Sequence, residues 1–248
     1  MDGGMLGQVR PPQNIFVQSV RKVIDLGFHL PFNDGRVYVY SKAAETLVKG
    51  ELVQAPTVSE DYDRSLAVAV AGVAIDRQLA VTLLNAHDAF VANAYEDGWL
   101  LVDTHTEEGL MRKIKSNNAF LSTADATVIF KFRDALGEAV AVSTHEVKIL
   151  VNPYNLVIPN VADSGRSSNT GRTLGVPVCD VTANYYFWLL VRGMGPGVGY
   201  GTAIVPGTSL TGNAKVMVVA AAGDPIVGVA ASYCHTDSQS LMVFYKCE

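Results

Sequence analysis

Apolar residues in this chain alternate with polar or small ones in runs of about five, and glycine, proline or Asn-Asp-Gly breaks each run. Alternation with period two between tight turns predicts strands, and many short strands predict a sandwich or barrel. Asn33-Asp34-Gly35 is a hairpin-type turn signal ahead of the alternating strand Arg36-Val37-Tyr38-Val39-Tyr40. A strand over 51–55 follows Gly50 and stops at Pro56, and the acidic stretch 59–64 is a charged tip. Leu66–Ala71 alternates large and small apolar residues, and 78–84 gives a further strand. Asn93–Gly98 is a polar turn feeding Trp99-Leu100-Leu101-Val102, and Lys113–Asn118 closes that section. More strand pieces fall in 120–132 and 140–151, where Asn152-Pro153-Tyr154 ends the run. Residues 15–25 fit a short helix and a strand equally well.

The pattern is densest from Gly175 onward. Gly-Val-Pro-Val leads into the bulky run Tyr185–Val191, followed by glycine at every second position from Gly193 to Gly201. Short apolar strands then alternate with Gly207, Gly212, Gly223-Asp224-Pro225 and Gly228. The expected fold is all-β, with sandwich or barrel modules and few short helices. Residues 1–14, where Pro11-Pro12 forbids regular structure, are expected to form an extended arm. An N-terminal β module would cover 15–151 and a C-terminal one 175–248. Residues 152–174 would be the linker or surface loop between them, with 160–172 rich in Ser, Asn, Gly and Arg. A loose scheme of aromatic strand, glycine and Ala/Val strand occurs at 36–75 and again at 186–231, suggesting two modules of similar design.

Composition narrows the function classes. Hydrophobic residues make up 49% of the 248 positions and charged residues 17%, against roughly 25% in an ordinary soluble domain. Such a chain either spans a membrane or hides surface in an assembly. The longest apolar run, Leu66–Ile75, falls well short of the roughly 18 residues a spanning helix needs, so assembly is the expectation and no membrane partner is assigned. Met1–Met5 carries neither a basic n-region nor an apolar h-region, so no secretory signal is expected there. Cys179, Cys234 and Cys247 are too scattered for a disulfide framework or a zinc site and suit reduced thiols. Net charge is −5 with no basic stripe, which argues against direct nucleic-acid binding.

No residue is assigned a catalytic, cofactor-binding or metal-ligating role, and neither a cofactor nor enzymatic activity is expected. The alternating glycines of 193–201 superficially match a phosphate-binding fingerprint. That motif needs a following helix, whereas Thr202–Pro206 reads as a strand, so a flexible β-loop is expected. Asp103-Thr104-His105 and His145-Glu146 place a carboxylate beside a histidine, as acid–base pairs do. Ser143 lies close to His145, but no nucleophile elbow accompanies it, and solvated histidines are expected. His29, His87 and His235 lack metal-ligand spacing, and Glu60, Asp61 and Asp63 lack a calcium-loop frame. Tyr185–Trp188 could stack on a sugar. In a strand, however, two of the four enter the core, and the others face an edge or a subunit contact.

Several stretches, in order along most of the chain, resemble capsid decoration (cement) proteins of tailed phages, particularly podovirus-like phages of cyanobacteria and marine bacteria. They are Pro-Pro-Gln at 11–13, Asp34–Tyr40, Gly50–Pro56, Ala92–Val102, Ile114–Asn117, Asn152-Pro153-Tyr154 and the segment from Gly175. The resemblance implies a viral structural protein made in the host cytoplasm and carried on the outer surface of the virion capsid. Its partners would be the major capsid protein and itself, as a homotrimer. Contact surfaces would matter in such a protein, and no individual functional residue carries over. Residues 1–14 are expected to hold the capsid or an adjacent protomer. A different reading is a head-fibre or tail receptor- or glycan-binding module using Tyr185–Trp188, Trp99 or the 160–172 loop. A hydrolase using His105 or His145 is a third.

Overall fold

The computed structural model describes residues 12–56, 62, 65–103, 109–142, 144–160, 172–200, 203–213, 215–235 and 239–247. Its strands are β1 (His29–Pro31), β2 (Val37–Lys42), β3 (Val53–Gln54), β4 (Leu66–Val70), β5 (Gln78–Leu83), β6 (Trp99–Val102), β7 (Met111–Asn117) and β8 (Ala126–Phe132). They continue as β9 (Glu146–Leu150), β10 (Ile158–Pro159), β11 (Thr173–Pro177), β12 (Tyr186–Gly199), β13 (Ser209–Asn213), β14 (Val216–Val219), β15 (Gly228–Ala230) and β16 (Gln239–Lys246). The fold is all-β, as the alternation implies. Among the described residues there is no helix, so the expected few short helices are absent. Residues 15–25 form turns with one bridge, Ser19 to Tyr186.

The chain divides into two compact units, one of residues 1–56 with 156–248 and one of 57–155. This differs from the sequential division expected above. The stretch 15–56 belongs with the C-terminal strands, and only the far end of the inserted unit falls inside the expected 152–174 boundary. The reason is non-local pairing: β2 lies against β12, and β3 against β10 and β11. Local alternation marks strands but says nothing about their partners. The two stretches of similar pattern, 36–75 and 186–231, are therefore not two modules, since β2 and β12 are neighbours in one sheet.

The inserted unit is a closed antiparallel barrel of order β4-β5-β8-β7-β6-β9. Alternate residues point inward, so Val68, Val81, Leu83, Val102, Ile114, Phe130, Val147 and Ile149 form one core. Tyr62, Phe90, Tyr95 and Phe120 extend it with edge-on and tilted ring contacts. The predicted turn at 93–98 is held by side chains from other strands and loops. Asn117 accepts the Tyr95 N–H at 3.0 Å, Asn152 donates to the Asp97 carbonyl at 3.1 Å, and Asn155 donates to Ala94 at 2.9 Å. The fully buried Asp97 carboxylate takes an Arg133 guanidinium at 2.7 Å. Three stretches of the resemblance (92–102, 114–117 and 152–154) thus meet in one place and do structural work there.

The other unit is organised by β12, whose 14 residues are flanked at Leu189 and Leu190 by β2 and β11 and at Gly199 by β14 and β16. Pairings β12–β14–β13–β15–β16 and back to β12 close a ring. Here the glycine-rich stretch corrects its expectation, because 193–199 is strand and not a flexible loop. Residues two apart share a face, and on this face side chains from an earlier part of β12 and from other strands and loops fill the space. A Cβ on Gly195 would lie 2.1 Å from Leu190 Cδ2, one on Gly197 2.7 Å from Met217 Cε, and one on Gly199 2.6 Å from Cys234 Sγ. The alternation makes room inside a narrow ring, which is a packing role for strand glycine.

Candidate interaction surface

The described chain begins at Pro12-Gln13, and the aromatic run receives Gln13. Gln13 is buried and bonded on every side. Its amide NH2 donates to the carbonyls of Val17 and Tyr186, its amide oxygen accepts from the Tyr40 hydroxyl at 3.1 Å, and its backbone carbonyl accepts from Trp188 Nε1 at 3.1 Å. Tyr40 packs edge-on against Trp188 at 5.1 Å and stacks on Tyr186 at 5.9 Å. Burial pushes the Tyr40 hydroxyl up to about 12. Residue 13 is therefore a docked anchor and not part of a free extended arm, while 1–11 lie outside the described residues. The aromatic run is explained by this anchor. Phe187 and Trp188 are buried on opposite faces, and Tyr186 has one ring face on Tyr40 and Lys42 Nζ 5.7 Å from its centroid.

Beyond Leu190, the outer side of β12 and β16 is apolar. Strand β16 reads Leu241-Met242-Val243-Phe244-Tyr245, with Leu241, Val243 and Tyr245 inside the ring. Met242 and Phe244 point out and are 50% and 49% exposed. A sheet face open to water ordinarily carries polar side chains at such positions. With Met194 and Phe16, which are 42% and 58% exposed, they surround a groove of about 910 Å³. Phe244 also borders a smaller hollow of about 420 Å³ with Ile226 and Val229, rimmed by Arg192 and Lys246. An apolar surface continuous over two hollows is unlike singly scattered apolar residues, which makes this face the candidate contact site. Covering these side chains contributes on the order of a few kcal/mol.

One wall of the groove carries charge, and that charge is internally matched. Arg36 pairs with Asp34 at 2.7 Å, donates to the Tyr38 hydroxyl at 3.0 Å, and lies over the Phe32 and Tyr38 rings at 5.7 and 5.8 Å. The hydrogen bond from Arg36 holds the Asp34 carboxyl below its ordinary value, and burial raises the Tyr38 hydroxyl. What the groove offers a ligand is apolar contact beside a fixed ion pair.

The sequence candidates for acid–base chemistry do not converge. Asp103 takes Lys148 Nζ at 3.2 Å and accepts from Ser65 at 3.0 Å, while His105 lies outside the described residues, as do Ser143, Glu60, Asp61 and Asp63. His145 is buried rather than solvated, and its Nδ1 accepts the Ala141 N–H at 3.0 Å, closing its own turn. His87 Nδ1 lies 3.4 Å from the Leu84 N–H, and His235 stacks on Tyr233. His29 is exposed on β1. Among the described residues no group of three His, Cys, Asp or Glu could hold a metal ion. Trp99 is partly exposed on the barrel strand β6, and most of the 160–172 stretch is outside the described residues. The residues that sequence reasoning missed are Gln13, Met242 and Phe244. The signal for the last two was present, since Leu-Met-Val-Phe-Tyr is apolar at both parities of a strand. No protein-family model matches the chain, nor does any curated protein or solved structure.

Proposed function

We propose that this chain is a viral structural protein, a capsid decoration (cement) protein that binds outside an icosahedral phage head and stabilises contacts between major capsid proteins. The observation that carries this reading is the apolar outer face of β12 and β16 on a chain of low charge. A shell lattice presents the same contact many times, so modest affinity per contact suffices when copies act together, as they do in a homotrimer. In this reading the groove around Met194, Met242 and Phe244 is a protein contact surface, toward a neighbouring copy or the shell.

The test is co-sedimentation of purified protein with expanded, undecorated phage heads, titrated to saturation. The expected result is a fixed number of copies per capsid subunit, with Phe244→Glu reducing occupancy at equal concentration. A folded protein that stays in the supernatant at all concentrations overturns the reading and favours a tail or receptor-binding role.

A further inference from the structure

We propose that the outer face of β12 and β16 binds a second copy of this chain across a twofold axis. The inference rests on reading that face as a protein contact surface, and it names the partner as the chain itself.

The face is built in rows. Strands β12 and β16 pair antiparallel, so Met194 stands opposite Phe244 and Pro196 opposite Met242, and all four are exposed. Strand β15 extends both rows, with Val229 opposite Phe244 and the Ala231 N–H donating to the Met242 carbonyl at 2.7 Å. One row is bulky throughout, Met194-Phe244-Val229. In the next, Met242 is flanked by the smaller Pro196 and Ala231. Pro196 and Met242 line the large groove, and Phe244 borders both it and the smaller hollow. A ridge beside a recess on one face is self-complementary. A twofold axis running across the strands, between the two rows, lays the ridge of each copy on the recess of the other.

Charge permits the same arrangement. Arg192 and Lys246 are opposite each other at one end of the face. Each end lies about 10 Å from the axis at about 3.3 Å per residue, and the axis turns the two ends apart, to about 20 Å. That exceeds the Debye length of about 8 Å at physiological salt, so their repulsion is screened. The charges lining the groove, Arg36 and Asp34, are paired with each other and bring no net charge.

The area is sufficient. Met194, Ile226, Met242 and Phe244 are between 42% and 50% exposed. A side chain of this size offers roughly 200 Å², so together with Pro196 they expose about 400 Å² per copy. A stable interface buries about 800 Å² per partner and is a little over half apolar, so this face supplies most of its apolar part.

Sedimentation velocity on the purified full chain tests this without phage shells, at up to about 100 μM, above the micromolar Kd of weak interfaces of standard size. Phe244→Glu is expected to halve the particle mass of the unaltered chain. A homotrimer would close through other surfaces, so the mass halves in that case too. Phe244→Lys and Met242→Glu should each halve it alone. Mixed in equal amounts, these two variants are expected to recover the paired mass, because the introduced ammonium of one chain meets the introduced carboxylate of the other. An unaltered chain with the same mass as Phe244→Glu overturns the inference, as does a mixture that stays at the halved mass. Failure here leaves the shell-binding result standing, and a paired chain that ignores shells leaves this one standing.

Discussion

Replacing Gln13 by alanine removes an amide that three partners share, and the partners lose unequal amounts. The Tyr186 carbonyl keeps a bond from the Ser19 N–H at 2.9 Å. Val17 is half-exposed, so water can replace the amide at its carbonyl. The Tyr40 hydroxyl is different, because its residue is fully buried and Gln13 is its acceptor. Leaving that donor unmatched costs about 1–3 kcal/mol, so a loss of about 2–3 kcal/mol is expected in all. The chain has two tryptophans, Trp99 in the barrel and Trp188 at the anchor. In a Trp99→Phe background, Trp188 fluorescence reports unfolding of the anchor's unit alone. With a denaturant slope of about 1–3 kcal/mol per molar urea, the midpoint should fall by about 1 M. Tyr40→Phe removes the stranded donor, so Gln13→Ala should cost about 1 kcal/mol less in that background. Strict additivity of the two changes, or an unmoved midpoint, refutes the anchor as described.

Other expected outcomes follow from the same structure. Gly98→Ala places a Cβ 2.4 Å from the Leu150 carbonyl oxygen and 3.0 Å from that of Tyr95, both rigid backbone. It should destabilise the barrel by about 1–3 kcal/mol, read by Trp99 fluorescence in a Trp188→Phe background, and an unchanged midpoint contradicts this packing. Tyr40 titrates near 12 in the folded chain and near 10 when unfolded, so its contribution is complete below about pH 10. That contribution is lost as pH rises toward about 12, and denaturant midpoints flat over this window count against the buried hydroxyl. Phe244→Glu alters an outward side chain, so stability should stay within about 0.5 kcal/mol while shell binding falls; a large stability loss would place Phe244 in the core instead.

Much of the strand pattern was legible because alternation is a local property. The strands over 36–40, 66–71, 78–84 and 99–102 appear in the structure with ends moved by a residue or two. Burial of neighbours on opposite faces at Phe187 and Trp188 was not legible, since a bulky run looks the same whether one or both faces are covered. The glycines of 193–199 misled because their reason is not beside them in sequence. Leu190, Met217 and Cys234 fill the space they leave, and two of those three come from other strands or loops.

The sequence by itself determined an all-β chain, the positions of its main turns, and a low share of charged residues. Those follow from period, turn chemistry and composition, which are read within a few residues. Only the tertiary structure decided that residues 57–155 are an insertion, that Gln13 is an anchor, and that Met242 and Phe244 share one groove with Met194 and Phe16. Each depends on which distant strands pair, and that choice is made by the summed packing of both cores and not by any local run of residues.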